Sequence, residues 1–448
     1  MQSLLEWVDA RFPLLKVWNE HLAEYYAPKN FNFWYYFGSL AILMLVLQIF
    51  SGIFLTIHYK PDVGLAFASV EYIMRDVPWG WFIRYLHSTG ASAFFIVIYL
   101  HMFRALLYGS HRGPRELVWI MGMVIFVALM AESFMGYLLP WGNMSYWGAQ
   151  VIINLFDAIP VIGPGLSEWI RGDFVISDAT LNRFFAFHVA AVPLVLVILV
   201  FMHIVALHRV GSNNPDGIEI KENKGADGIP LDGIPFHPYY TVKDIVAVVV
   251  FLIVLSSVLF FAPELGGWFL EHDNFTPANV LQTPPEIVPL WYFTPYYSIL
   301  RACTPDYMIY LSIFVGIVGA MTLFSARNIM VKAVAVVTPL ILIVGFYTLE
   351  AKFWGVVAMG VSIMVFFALP WLDRSTVKSI RYRGWMYKTA LGIFVVTFLV
   401  LGYLGTQPPE GLYKALAQIG TLIYFAFFAF MPWYSQIDKT KPVPERVT

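Results

Sequence analysis

RYLHSTGASAFFIVIYLHMFR (84–104) is an unbroken run of apolar and small residues with a histidine near each end, His87 and His101, fourteen positions apart. At about 100° per residue, fourteen steps return to within about 40° of a whole number of turns, and a rise of about 1.5 Å per residue separates the two rings by roughly 21 Å. The run therefore reads as one membrane-crossing helix with two imidazoles on one face. RFFAFHVAAVPLVLVILVFMHIVALHR (183–209) repeats the pattern with His188 and His203, fifteen apart; fifteen steps close to within about 60°. One crossing lies between these two helices, so they run in the same direction. His87 is then level with His188, and His101 with His203. Two imidazoles facing each other across a bundle can hold a haem iron from both sides, so the pattern predicts two haems stacked across the membrane. A single membrane histidine is as often a hydrogen-bonded packing residue; four in matched register are not explained that way.

Two further patterns agree. Gly38 and Gly52 in the preceding helix, and Gly122 and Gly136 in the intervening one, are each fourteen apart. A glycine lets a flat macrocycle approach the helix backbone, although small residues are also common at membrane helix contacts. Arg84 lies three residues before His87 and Arg104 three after His101, each on the membrane-surface side of its histidine. Each is placed to pair with a haem propionate; the competing use is snorkelling to the headgroups.

Composition supports a membrane setting. Of 448 residues, 59% are hydrophobic and 13% charged, with mean hydropathy +0.68. Soluble chains carry about 25% charged residues, so this one cannot cover a water-facing surface. The net charge of −1 provides no basic field for nucleic acid. The single cysteine, Cys303, excludes an internal disulfide, a thiolate cluster and a Cys-x-x-Cys-His covalent haem site within the chain.

Taking about 20 apolar residues per crossing, the chain predicts spans near 34–57, 81–108, 117–138, 181–207, 243–262, 307–325, 331–349, 353–371, 386–404 and 414–433. Residues 1–30 are amphipathic, with Trp7, Phe12, Leu15 and Trp18 against Glu6, Asp9, Lys16 and Glu20, and predict a segment on the membrane surface. Loops 109–116, 208–243, 325–332 and 372–388 hold 13 Lys and Arg; the loops on the other side hold 6. By the positive-inside rule the first set faces the cytoplasm, with both termini. The opposite face carries two long loops, 139–180 and 263–305, and long ordered loops commonly carry function.

Beyond these spacings, RYLHSTGAS (84–92), FMGYLLPWGNMSYWGAQVI (134–152), RFFAFH (183–188), HRVGSNNP (208–215), IPFHPYYTVKD (234–244), WYFTPYYSILRA (291–302) and PWLDRS (370–375) resemble cytochrome b of the quinol–cytochrome c oxidoreductase (cytochrome bc) complex, in its bacterial form. The likeness runs from residue 31 to about 433. It implies that His87 and His188 ligate a low-potential b haem near the outer face, and His101 and His203 a high-potential one near the cytoplasm. It adds Arg183 to the cofactor-binding residues. It implies an outer site that oxidises quinol, with Tyr137, Gly148, Tyr292 and Tyr297. It also implies an inner site that reduces quinone, with Ser39, His208, Lys243 and Asp244 (ubiquinone is the expected quinone). Without the resemblance, the tyrosines would read as interfacial anchors and Asp244 as a helix-end charge. The implied partners are a Rieske iron–sulfur protein, a membrane-anchored c-type cytochrome, a second copy of the complex and lipid. The implied location is the bacterial cytoplasmic membrane.

Three features depart from the pattern. The outer-site motif Pro-Glu-Trp-Tyr here reads Pro289-Leu290-Trp291-Tyr292, and leucine cannot accept a proton. If the segment is helical, Glu286 lies one turn away and takes over, although Pro285 and Pro289 oppose a helix. The fifteen-step histidine spacing calls for a bulge between His188 and Pro193. Residues 304–350 are extra, and their two hydrophobic segments (307–349) predict an inserted hairpin that leaves later helices in their usual direction.

The expected protein is thus an all-α polytopic membrane protein of about ten spans. Its parts are the surface segment (1–30), a dihaem four-helix bundle (31–210), a cytoplasmic linker (211–240), a C-terminal membrane domain (241–433) and a cytoplasmic tail (434–448). The competing readings are a dihaem anchor of another quinone-linked oxidoreductase and a proton-coupled transporter. A transporter would show no b-type absorption.

Overall fold

The computed structural model describes residues 4–448; residues 1–3 of the expected surface segment lie outside the described residues. Among the described residues, ten helices are long and apolar enough to cross a membrane. We number them α1 (Phe33–Thr56), α2 (Gly80–Tyr108), α3 (Glu116–Leu138), α4 (Asp178–Val210), α5 (Tyr239–Phe261), α6 (Pro305–Ser325), α7 (Ile329–Thr348), α8 (Ala351–Leu372), α9 (Trp385–Leu404) and α10 (Gly411–Ala429). They are helical because a hydrocarbon surround offers backbone groups no partner outside their own segment. Their outward faces are exposed and apolar, as at Val195, Ile198 and Phe201 of α4.

Local chemistry sets the ends. α2 and α4 stop at Gly109 and Gly211, both at positive φ (68° and 86°), a conformation glycine adopts without a Cβ clash. The Asn328 side chain accepts the Met330 N–H at 2.7 Å and caps α7. Inside α4, the Val192 N–H reaches back five residues to the Phe187 carbonyl, forming a π-turn over Phe187–Ala191. Pro193 follows, with no N–H to give and a ring that crowds the preceding turn. This wider turn absorbs the extra residue between His188 and His203.

The core is continuous across both halves. Met44, Phe95, Met123 and Phe126 pack among α1–α3; Phe366, Tyr387, Phe394, Tyr424 and Phe428 pack among α8–α10. Tyr292, from the loop between α5 and α6, stacks on Phe95 at 3.9 Å and joins them.

At the end carrying both termini, strands β1 (Tyr26–Pro28) and β2 (Gly233–Pro235) pair antiparallel. Asp232 there holds Lys29 at 3.1 Å and Arg446 at 2.8 Å. Three of the four lysine- and arginine-rich loops meet at this end. Arg115 and Lys378 share Glu219, Arg381 takes Asp216, and Arg383 takes Asp373. Loops assigned to one face by charge alone are therefore bonded to one another.

The expected hairpin forms. α6 and α7 pack closely enough that a Cβ on Gly319 would lie 2.5 Å from the Pro339 ring. Trp433 donates to Ser325 at 3.1 Å, which brings the hairpin's turn to the end that carries the termini. A cysteine replacing exposed Asn328 is therefore expected to resist an impermeant maleimide added outside intact cells and to react once the cells are opened. The one native cysteine, Cys303, is buried, so the background is low. Labelling from outside would refute this topology.

Candidate functional site

α1–α4 bring the four histidines together as two pairs. The His87 and His188 rings lie 5.9 Å apart between centroids, with planes at 85°, a spacing that suits a single metal atom between two ring nitrogens. His87 Nδ1 pairs with Ser51 Oγ at 2.9 Å, and that hydroxyl itself donates to the Leu47 carbonyl at 2.7 Å. The serine proton is thus committed, and Nδ1–H is the donor. His188 Nδ1 donates to the Glu132 carbonyl at 3.0 Å. Fixing Nδ1 as donor leaves Nε2 free to ligate. The inner pair, His101 and His203, carries buried Nδ1 atoms that make no such hydrogen bond.

Each of the four spaced glycines faces one histidine. A Cβ on Gly52 would lie 3.1 Å from His87 Cε1, on Gly136 2.3 Å from His188, on Gly38 3.4 Å from His101 and on Gly122 3.3 Å from His203. The sequence reading gave these glycines to the macrocycle; what a methyl group would meet first is the imidazole. They leave room for the imidazole rings beside α1 and α3.

A cavity of about 290 Å³ opens at the end away from the termini. His87, His188, Gly52, Gly136 and Arg84 line it, which fits a flat apolar macrocycle with acidic edges. Arg104 lies by the other pair, donating to Ser110 at 3.1 Å and resting over the Tyr35 ring. Arg183 does not join them. Its exposed guanidinium donates to the Trp169 carbonyl at 2.5 Å and ties the outer loop to α4.

The same cavity continues to Tyr137, Leu290 and Tyr292. Tyr292 shares a 2.6 Å hydrogen bond with Ser133. Gly148 lies against Tyr137: a Cβ there would be 3.3 Å from the ring. The two long loops are joined at this point. Asn274 Oδ1 accepts from Ser145 N and Oγ, both at 2.9 Å, and Asn143 N–H bonds the Thr276 carbonyl. Tyr297 donates to the Ile287 carbonyl at 3.3 Å, with Arg301 over its ring.

Residues 286–290 are not helical, and Glu286 is exposed. The two prolines at 285 and 289 prevent the turn that would have set Glu286 over Leu290. In extended chain, four residues cover roughly 13 Å. Two acids come to this region: Glu132 lines the cavity and lies 3.0 Å from His188 Nδ1, and Glu271, behind the wall, accepts from the Tyr137 hydroxyl at 3.0 Å. Sequence reasoning did not find Glu271, because neither acid of FLEHDNF (269–275), Glu271 or Asp273, bears a periodic relation to the motif. Ser51, Ser133 and Asn274 were missed for the same reason.

Of the four inner-site candidates, the structure joins two directly: Ser39 donates to Asp244 at 2.8 Å, linking α1 to α5. Lys243 turns to the Tyr239 hydroxyl at 2.7 Å. His208, in the last turn of α4, stacks on Tyr25 at 4.5 Å.

Paired histidines, each faced by a glycine, with His87 and His188 opening into an apolar cavity beside Tyr137 and Tyr292, define a haem-binding membrane cytochrome. The comparisons agree. The family described as Cytochrome b/b6/petB matches residues 22–211, and Cytochrome b(C-terminal)/b6/petD matches 277–425. Cytochrome b of Allochromatium vinosum is 59% identical over 448 residues, covering 99% of this chain and 98% of that one. Cytochrome b/c1 of Bradyrhizobium diazoefficiens is 38% identical over 99% of this chain but 56% of its own length. A solved chain of a hyperthermophilic respiratory complex III is 34% identical, with TM-score 0.79, over 96% of this chain and 98% of that one. The chain belongs to the cytochrome b family, the membrane subunit of complex III-type oxidoreductases, and binds b-type haem.

Proposed function

We propose that the chain oxidises quinol at the outer cavity, carries electrons across the membrane through two b haems, and reduces quinone at the inner site, thereby contributing to proton-motive force. The observation that carries this reading is the single cavity running from His87 and His188 to Tyr137 and Tyr292. A substrate in its outer part lies next to the haem cradle, with no polypeptide layer between. When bound, haem supplies one-electron redox chemistry to a substrate that gives up two electrons.

The chain's own residues bind substrate and handle protons. The outer cavity is apolar and suits a prenylated ring, with Tyr137 and Tyr292 offering hydroxyls at its wall. Tyr297 holds the loop through Ile287. At the inner site, Asp244 is steered by the Ser39 hydroxyl, and the His208 imidazole supplies a second proton carrier. Lys243 adds positive charge at the same helix end. Arg84 and Arg104 pair with the haem propionates. The inner site and both termini face the cytoplasm, across a bacterial cytoplasmic membrane, as the loop charges favour. The partners are a Rieske protein, a c-type cytochrome and a second copy of the complex. The Bradyrhizobium relative, whose name joins b to c1 and whose length extends beyond the part matched, supports the c-type partner.

The test is a haem assay with turnover. The purified complex is expected to give two b haems per chain and to reduce cytochrome c with quinol. Asp244→Asn is expected to slow haem reoxidation through the inner site by about tenfold or more while haem content holds. One haem per chain, or no quinol oxidation, would refute the reading.

A further inference from the structure

Leu290 stands where relatives with the Pro-Glu-Trp-Tyr motif carry a glutamate. It is buried on the cavity wall and can take no proton. Quinol oxidation releases two protons. Glu132 lines the cavity but is held against His188 Nδ1 at 3.0 Å; a second carboxylate comes from the long loop between α5 and α6. Glu271 accepts from Tyr137 at 3.0 Å, and Tyr137, Leu290 and Tyr292 line one cavity. The arrangement is held from several sides. Gly148 leaves space for the Tyr137 ring, and Asn274, three residues after Glu271, is locked to Ser145. Glu271 is partly buried, yet its neighbour His272 is 71% exposed and lies 3.7 Å from Glu264.

We propose that Glu271, reached through Tyr137, is the proton acceptor of the outer quinol site and replaces the absent motif glutamate. The inference rests on the outer-site reading above. As one quinol O–H bond breaks, its proton passes to the Tyr137 oxygen while the Tyr137 proton passes to the Glu271 carboxylate. Glu271 becomes a neutral acid and Tyr137 is restored. The quinol's two electrons need two one-electron acceptors, the iron–sulfur cluster of a Rieske partner and the haem that His87 and His188 would hold. Its second proton leaves on the partner's side, and the product is quinone. Turning outward, Glu271 passes its proton to water by way of His272 and Glu264. Burial pushes the Glu271 pKa up to about 7, against the hydrogen bond from Tyr137. A carboxyl there can both accept and release a proton near neutral pH. The titratable groups about it are Tyr137 and Glu132 from α3, Tyr85 from α2 through its 2.7 Å hydrogen bond to Glu264, Tyr292 from the motif, and His272, Asp273 and Glu264 from its own loop.

The experiment uses the purified full complex with the inner site blocked. It follows haem reduction by quinol after the c-type partner is oxidised. Glu271→Gln is expected to slow that reduction by about tenfold or more at pH 7, with haem content and inner-site exchange unchanged. Adding Leu290→Glu to that variant is expected to restore part of the rate. The wild-type rate rises with pH through a midpoint near 7, and Glu271→Gln loses that midpoint. A redox-linked protonated-carboxyl infrared band is present in wild type and missing in the variant. Wild-type speed in Glu271→Gln, or slowing in Glu286→Gln instead, overturns the inference. If wild type itself shows no haem reduction by this route, the outer-site reading fails, and the inference with it.

Discussion

Replacing His87 or His188 with asparagine removes one b-type spectral component, the same one in both variants; replacing His101 or His203 removes the other. This is the expected result of a redox titration on each purified variant, and each loss should be essentially complete. An axial ligand has no substitute nearby: Gly52 and Gly136 face the outer pair, and Gly38 and Gly122 the inner one. The pairing follows from the 5.9 Å separation of His87 and His188 and from the glycine placed against each ring. Ser51→Ala is a graded companion. It removes the oxygen that orients His87 Nδ1, and loss of such an orienting partner weakens metal binding by about 10–100-fold rather than abolishing it. If the His87 and His203 variants lost the same component, the parallel arrangement of α2 and α4 would be wrong.

The second large effect is on stability. Asp373→Asn is expected to destabilise the protein by about 3–5 kcal/mol, because it strands a fully buried guanidinium. Arg383 donates to both Asp373 oxygens, at 3.1 and 2.5 Å, and His111 Nε2 lies 3.1 Å from one of them. Arg383 and His111 have no exposed surface. Burial alone would raise the Asp373 pKa, but His111 and Arg383 outweigh it and hold the carboxyl well below its ordinary value of 3.8. The sign follows: a depressed carboxyl contributes its stability at pH above that ordinary value and loses it only as pH falls below. The destabilisation of Asp373→Asn should therefore be fully visible at neutral pH. The comparison is Arg446→Ala, whose half-exposed side chain reaches Asp232; Asp232 keeps Lys29 as a partner at 3.1 Å, so the loss is expected to be much smaller. The temperature at which the purified complex loses its haem absorption measures both. Equal small shifts would mean that the Asp373 cluster is not a structural centre.

These two predictions draw on different sources. The histidine pairs were legible from spacing, because a helix in hydrocarbon has one period and a fixed rise. The spans followed from the same constraint, as did the inserted hairpin, since two apolar runs of that length have few other ways to be satisfied. The extra residue in α4 could also be placed beforehand, beside the only proline in that stretch, and the π-turn at Phe187–Ala191 lies there. Asp373 and Arg383 were visible as residues in a basic loop, but nothing in their order indicated that they were buried together.

The outer site marks where linear reasoning stopped. Glu286 was chosen by its distance along the chain from Leu290, on a helical premise that Pro285 and Pro289 defeat. The Arg183 guanidinium bonds the Trp169 carbonyl, a contact that its motif does not indicate. Glu271 lies 134 residues from Tyr137 and meets it only because Asn274 pins one long loop to the other. The sequence by itself determined the ten helices and the matched histidine spacing, because each depends on a helical backbone that must satisfy its own hydrogen bonds. Only the tertiary structure decided which carboxylate faces the cavity and which cations are buried. Irregular loops have no period, and their side chains are aimed by contacts made between distant segments.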